Sequence, residues 1–328
     1  MYKVKDYGAI GDGFADDTAA IQALLNQFGS ISSSINSDPI HIDFEDNVYR
    51  ITQPIVVKQN YLRLTGHGAT LRCDGAAYGI FLSYDNSVNI LTGVEIENLV
   101  VDGATIHGIL IQGAAQARIK RMKICNSGSD GIAVFGSYAL KIEDCECDDN
   151  GDYAYREQAF VKTYGQSSTL VHCIGNEVVR LRAYRNGYGG MAFYESWHPY
   201  VVRPDMEDNG GTSGRGISFE TVLNGVIDTP YDEKSRYAVV IDKVERLMGS
   251  GHACGQNIVR SAQIGGEAVG GVTPYSVFII GSDQNVIENG RFGGEVVINS
   301  TSSDNIVLPG TFILQGFTDN GANTRDLR

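Results

Sequence analysis

No stretch of this sequence approaches the eighteen or so consecutive apolar residues that a membrane-crossing helix requires. The amino terminus, MYKVKDYGAIGDG, has no apolar run behind its first lysine, so neither a transmembrane helix nor a standard signal peptide is expected. Cations are in short supply: 26 Lys and Arg stand against 39 Asp and Glu, for a formal net charge of −13. That balance argues against a non-specific nucleic-acid binder and against binding to an anionic membrane, because both need a basic face. A polyanionic ligand would have to be met by local cations or a bound metal. Proline is scarce at 7 residues while 42% of the chain is hydrophobic, which excludes a disordered or low-complexity chain. Cysteine patterning is also missing. Cys73, Cys125, Cys145, Cys147, Cys173 and Cys254 show no second Cys or His pair at zinc-like spacing and no disulfide framework. Cys145 and Cys147 alternate along a strand, which sends both thiols to one face, and buried structural thiols are the expected reading.

What the chain has instead is a repeat. The segments IHGILI, SDGIAVF, YGGMAFY and GRGISFE each set a small turn residue before an alternating apolar strand, and they align on Gly108, Gly131, Gly190 and Gly216. The first step is 131 − 108 = 23 residues, and the step from Asn186 to Asn209 is 209 − 186 = 23 again. Asn126 also precedes such a turn, and Asn150 opens a coil that carries extra residues. A period of this length, with β-branched strands, Gly or Asn turns and no helical pattern between, predicts an all-β, right-handed single-stranded parallel β-helix. Coils then stack about 4.8 Å apart and aligned residues form columns. Ile109, Ile132, Met191 and Ile217 form one inward column, and Ile111, Val134, Phe193 and Phe219 another. The end of the stack needs a cover, and DDTAAIQALLNQF has helical apolar spacing after an Asp-rich start. One β-helix domain over 1–328 is expected, with a cap over 1–45 holding a helix at about 17–28. Coils follow over 46–315, then a polar tail over 316–328.

The opening YKVKDYGAIGDGFADDTAAIQAL, followed by LTGHGATLRC and IENLVVDG, resembles the pectate-lyase-like superfamily of right-handed parallel β-helix proteins. That superfamily includes polysaccharide lyases, epimerases and hydrolases as well as phage tailspike depolymerases. The resemblance covers the first third through its motifs and the remainder through the coil period. It implies a carbohydrate-active fold and leaves the reaction open, since the fold hosts many chemistries. Gly66-His67-Gly68 and Arg118-Ile119-Lys120 are similar to polygalacturonase motifs but stand in the wrong coils, which leaves His67 as a turn residue. Asp130-Gly131-Ile132 resembles the Asp-Gly-Phe of mannuronan epimerases. Their aromatic Tyr-Gly-Phe-Asp-Pro-His motif is absent, and His107-Gly108-Ile109 stands in its place.

This comparison picks out an outward column of His107, Asp130, Gly189 and Arg215. Five residues further along each strand stand Gln112, Phe135, Tyr194 and Glu220. A lyase or epimerase needs a base beside a uronate and a cation for the developing charge, roles open to His107, Tyr194 and Arg215. A hydrolase needs two carboxyls, about 5 Å apart for retention and about 6.5–9.5 Å for inversion. Glu195 and Glu220, one coil apart, are the candidate pair, and Asp130 completes the candidate catalytic set. The stretch after Asn150, GDYAYREQAFVKTYGQSS, reads as an aromatic insertion walling the groove, with Tyr155 and Arg156 as substrate contacts. Trp197, the single Trp, and His198 are further sugar contacts, alongside Gln112 and Phe135. The acidic set Asp144, Glu146, Asp148, Asp149 and Asp152 leaves calcium open, though a solvated acidic edge is the favoured reading. Otherwise no cofactor is expected. The expected partner is a polysaccharide, with a homotrimer open, no nucleic acid and no membrane insertion. The expected location is extracellular or virion-associated. Two functions compete: a polysaccharide lyase or glycoside hydrolase, and a non-catalytic glycan-binding spike or adhesin.

Overall fold

The computed structural model describes residues 1–28, 40–83, 90–164, 167–243, 254–265, 274–313 and 315–327. The Ser-rich loop expected after the helix lies outside them. Each coil is made of three short strands, well shown by Ile132–Phe135, Lys141–Glu143 and Glu146–Asp148. We call the faces built by stacking these strands I, II and III. Face I is an 11-stranded sheet, and faces II and III share a 23-stranded sheet whose strands pair with the equivalent strands of neighbouring coils. Every pairing between coils is parallel, giving a right-handed parallel β-helix.

The corners are set by single residues in the left-handed backbone region. In one coil these are Ala139, Asp144 and Asp149, with φ of 52°, 54° and 55°. Strands mostly of two to six residues follow from a chain that must turn three times per coil, and the longer Leu62–Cys73 and Glu95–Asp102 run through the corner between faces II and III. Period-2 alternation on each strand sends one set of side chains inward. The predicted columns are present: Ile109 pairs with Ile132, Val134 lies beside Ile111, and Met191 and Phe193 pair with Ile217 and Phe219. Phe193 and Phe219 meet edge to face at 5.0 Å, and both are fully buried. Each such ring contributes roughly 1.5–3 kcal/mol by leaving water.

The coil missing from those columns contains Tyr155 and Glu157, which occupy the inward positions between Ile132 or Val134 and Met191 or Phe193. Tyr155 is therefore a core residue with no exposure, which corrects its assignment as a substrate contact. The aromatic insertion is likewise shorter than its sequence suggests. Tyr153–Gln158 is an ordinary face I strand, and the added residues form the antiparallel hairpin Phe160–Tyr164 and Ser167–Val171 at the corner that follows it. Asn150 and Asn186 stand 36 apart where Asn186 and Asn209 stand 23 apart, and the hairpin accounts for that difference.

Those asparagines form a buried ladder at the corner between faces III and I. The Asn186 amide donates to Asn209 Oδ1 at 2.9 Å and to the Cys147 carbonyl at 2.9 Å, while its own oxygen accepts from Asn150. Ser127 fills the same register in the preceding coil, its N–H donating to Asn150 Oδ1. Asn126 instead takes the left-handed position beside it, with φ of 56°. Next to the ladder, Gly128, Gly151 and Gly187 stack backbone on backbone. A Cβ on Gly151 would lie 2.2 Å from the Gly128 carbonyl oxygen, and one on Gly187 would lie 2.1 Å from that of Gly151.

A helix, α1 (Thr18–Asn26), covers the first coil with Ile21, Leu24 and Leu25 buried against the core. It is shorter than the 17–28 expected. Asp17 does not cap it; its carboxylate accepts the Ile10 and Gly11 N–H groups at 2.6 and 3.1 Å. Residues 1–45 also supply strands, since Tyr2–Lys3 pairs with Ile40–Asp43. At the other end, Gly316–Asp319 and Arg325–Asp326 pair with the preceding coil, so the segment read as a polar tail extends the stack.

Candidate functional site

The outward side of face I carries three columns. The first runs Tyr78, His107, Asp130, Tyr153, Gly189, Arg215, Tyr237 and Tyr275. The middle column runs Phe81, Leu110, Ala133, Arg156, Ala192, Ser218, Val240 and Phe278, with small residues on both sides of Arg156 at its centre. The third runs Gln112, Phe135, Gln158, Tyr194, Glu220 and Asp242. With side chains one coil apart, the longer ones lie across their small neighbours and bury them.

Asp130 is fully buried at the hub of one charged group. His107 Nδ1 lies 3.2 Å from its carboxylate, Arg156 Nη2 lies 2.6 Å from it, and the Tyr153 N–H donates to it at 3.3 Å. His107 also stacks on Tyr78 at 5.8 Å, and Arg156 reaches over the Phe135 ring. In the next coils the Tyr153 and Tyr194 hydroxyls share a hydrogen bond of 2.8 Å. Burial pushes the Tyr153 phenol far above its ordinary value, so it stays protonated. Beyond them Arg215 donates to Glu220 and, at 3.1 Å, to Ser218 Oγ. The face thus unites His107, Asp130, Arg156, Tyr194, Arg215 and Glu220 in one plate of interlocking polar side chains, with Gln112 and Phe135 along its edge. The hairpin stands at the adjoining corner, where the Phe160 ring packs over Gly136.

Other candidates stand elsewhere. Glu195 is buried at the corner after the Tyr194 strand, with φ of 51°, and its N–H donates to the Glu220 carbonyl. It stands in register with Thr221 and not with Glu220, one position off the column. Trp197 and His198 follow that corner on the way to face II, where Trp197 stacks on His172 at 4.5 Å. Asp144 and Asp149 are each held by an arginine of the next coil, Arg180 and Arg185, while Glu146 and Asp148 share Lys123. Asp152 accepts the Ser129 hydroxyl at 2.7 Å. Asp144, Glu146, Asp148 and Asp149 thus form ion pairs along face III and the two corners that bound it. Among the described residues, no group of three or more His, Cys, Asp or Glu is placed to hold a metal ion. Cys145 and Cys147 both point inward, and burial pushes the Cys145 thiol up to about 12.

Three functional-looking groups escaped sequence reasoning. Asp242 stacks directly on Glu220 in the third column; the spacing 242 − 220 = 22 is one coil, readable once YAVVID is set beneath GISFE. Glu157 lies in the core, its carboxylate accepting from Tyr155 Oη at 2.6 Å, from Asn176 Nδ2 at 3.0 Å and from Ser196 Oγ. Asp232 is buried beneath Gly216, and desolvation pushes it up to about 7. Neither inward carboxyl has a signal in the sequence, because polar residues at inward positions break the alternation that assigns faces.

Stacked coils with a packed plate of carboxyl, guanidinium and phenol groups on one outward face define a right-handed parallel β-helix with one strongly polar face. The family described as right-handed β-helix region matches residues 71–196, and that described as rhamnogalacturonase A/epimerase, pectate lyase-like, matches residues 1–75. Residues 1–196 thus match pectate-lyase-like families of right-handed parallel β-helix proteins, and the coils that follow keep the same fold. A curated relative, a probable glucan endo-1,3-β-glucosidase of Arthroderma benhamiae, is 29% identical over 161 residues, 41% of this chain. The chain covers 18% of that relative's length. Among solved structures, a tailspike of an Acinetobacter phage superposes with a TM-score of 0.67 at 10% identity, over 98% of this chain and 62% of its own. A surface adhesin of Streptococcus pneumoniae gives 0.59 at 10% identity, over 98% and 91%. The A-module of a mannuronan C-5 epimerase of Azotobacter vinelandii gives 0.54 at 14% identity, over 99% of each chain. Likeness at these identities shows the shared fold. Among the described residues no helix is long and apolar enough to cross a membrane.

Proposed function

We propose that face I binds a polysaccharide and hydrolyses it, with Glu220 and Asp242 as the carboxyl pair. The observation that carries this reading is their register: they are paired residues on adjoining strands, so their Cα atoms stand about 4.8 Å apart. That matches the separation of about 5–5.5 Å between carboxyls in retaining hydrolases. Arg215 and Ser218 fix the Glu220 carboxylate, which suits it to attack the anomeric carbon, while Asp242 protonates the leaving oxygen and then activates water. Asp130 stands three coils from Glu220, roughly 14 Å by coil spacing, which is too far to be its partner. His107, Asp130 and Arg156 are then positioning and binding groups for the remainder of the glycan. A lyase reading is less well supported, because Tyr153 and Tyr194 share a hydrogen bond in a buried setting that keeps Tyr153 protonated and unable to act as a base. The curated glucanase-like relative supports a neutral glucan as the first substrate to try. The phage and surface-protein neighbours fit an extracellular or virion-associated location, and a trimer remains compatible with an elongated coil stack.

The burial of Glu220, 1% exposed, favours a second reading in which the face binds glycan without cutting it. A panel of neutral and uronate polysaccharides, assayed for new reducing ends and for unsaturated uronate absorbance, separates the two. New reducing ends on a neutral glycan, reduced at least 100-fold in both Glu220→Gln and Asp242→Asn, are the expected result. Binding without new ends leaves the second reading in place. Unsaturated product that depends on Tyr194 sinks hydrolysis.

A further inference from the structure

Three adjoining concavities, of about 410, 420 and 480 Å³, open on face II and the corner leading into it, away from the plate on face I. Gly93 and Gln116 line both the first and the second, and His41 and Arg63 line both the second and the third, so they form one continuous groove. The floor is the corner column Gly93, Gln116, Ala139 and Gly175; it is open at Gly175, where a Cβ would meet nothing within 4 Å, and backed by the Tyr61 ring at Gly93, where a Cβ would meet it at 2.7 Å. The wall is the outward column of face II, in the order Arg63, Glu95, Arg118, Lys141 and Glu177. Five consecutive coils of about 4.8 Å give a run of roughly 19 Å.

Arg63 is held by Glu97, its Nε donating at 3.0 Å, but the charges that follow it along the wall are paired loosely. Arg118 comes no nearer than 3.9 Å to Glu95, and Lys141 stands 3.7 and 3.8 Å from Glu177 and Glu143. All three distances exceed hydrogen-bond length, whereas the corner ion pairs outside the groove are tight, with Arg180 to Asp144 at 2.5 Å and Arg185 to Asp149 at 2.7 Å. Arg118 and Lys141 therefore keep donors facing outward, and Glu95 and Glu177 keep acceptors beside them. His41 adds no charge at neutral pH, since burial and Arg63 lower its pKa. A polyanion would meet Glu95 and Glu177, and a polycation would meet Arg63, Arg118 and Lys141. A ligand that both donates and accepts at every step, without net charge, satisfies the whole wall, and a chain of sugar hydroxyls is such a ligand.

We propose that this groove is a second, non-catalytic binding site for a neutral oligosaccharide segment, separate from face I and independent of the hydrolysis assigned there. Trp197 and His198 stand at its far end: His198 follows Gly175 in the corner column, and Trp197 pairs with Ile174 just before it.

The test is electrophoretic retardation in native gels cast with laminarin, a neutral β-1,3-glucan, or with dextran, each compared with a glycan-free gel. Wild type, Glu220→Gln, Glu177→Gln and the double variant Arg118→Ala/Lys141→Ala are run in parallel, with circular dichroism confirming the fold. The expected result is retardation of wild type and of Glu220→Gln by at least one neutral glycan. It should weaken at least fivefold in the Arg118/Lys141 variant and measurably in Glu177→Gln. Retardation unchanged in the double variant overturns the site. So does an absence of retardation on both glycans, or retardation that vanishes with Glu220→Gln alone. Reducing-end release by the same proteins is scored separately. Cleavage without Arg118-dependent retention removes this site and leaves face I, and Arg118-dependent retention without cleavage keeps this site and removes the hydrolysis proposed for face I.

Discussion

Asp232 is a carboxyl lodged where every neighbouring coil puts an apolar residue, since its column partners are Met206 and Ile264. Its folded pKa is raised from the ordinary 3.8 to about 7, chiefly because burial penalises the charged form. The folded chain thus holds this proton more tightly than the unfolded one. The associated stability is fully present below about pH 4 and drains away as pH rises to about 7. A shift of that size is worth on the order of 4 kcal/mol. We therefore expect Asp232→Asn to raise the melting temperature at pH 8 by several degrees and to change it little at pH 4, measured by thermal denaturation at both pH values. Glu157 obeys the same sign, with its three hydrogen-bond donors offsetting part of the cost. Residues of this kind mark where sequence reading fails. Ile132, Val134, Phe193 and Phe219 were placed correctly because alternation is a local signal. Tyr155 was not, because YAYREQ reads as part of an aromatic insertion when its neighbours in space are unknown, and Glu157 beside it gave no signal. Glu195 slipped by one position for the reason that makes register hard: one residue decides which face a side chain meets.

At the level of elements, the corner ladder and the hairpin make opposite demands. Asn186 satisfies the Cys147 carbonyl and two asparagine neighbours, all buried. Replacing it with alanine strands those groups and should cost about 2–4 kcal/mol, read as a lower denaturant midpoint with an unchanged slope. The repeat gave away the ladder's existence but misplaced one member, because Asn126 and Asn150 look equivalent by spacing and only the backbone distinguishes a left-handed corner from an amide rung. The hairpin is attached at one corner by Phe160 and Val171, which pair with each other. Excising residues 160–172 restores a coil of the regular length, since 36 − 13 = 23. We expect that deletion to leave the melting temperature within a few degrees of wild type, while glycan cleavage at face I falls at least tenfold in a reducing-end assay. Unchanged cleavage would mean the hairpin serves another purpose.

Across the whole molecule, the stack is asymmetric. Its first coil is closed by α1, which buries Leu24 and Leu25 against the core and shields the strand edges beneath. Solenoid stability is summed coil by coil, so an end defect propagates only as far as the next few interfaces. Leu24→Asp would set an unpaired charge over the first coil. It should convert part of a monodisperse sample into aggregates, visible by size-exclusion chromatography with light scattering, while circular dichroism keeps its β signature. The fold class, the helix and the coil period were legible in the sequence because each rests on composition and local period. The division of chemistry between two faces was not, since it depends on which outward columns stand beside one another.

The glycine stack at Gly128, Gly151 and Gly187 has a bearing on how such a protein can be remodelled. Where carbonyl oxygens touch the Cα of the next coil, there is no room for an added residue, and the chain lengthens at the opposite corner, where the hairpin leaves. Past Gly210, where the stack ends, a short 3-10 turn at Gly211–Ser213 appears on the glycine side itself. The cross-section therefore has a hinge-like spine that resists loop grafting and a free margin that accepts it. New recognition loops would be acquired along that margin, beside the two grooves, without disturbing the rise from one coil to the next.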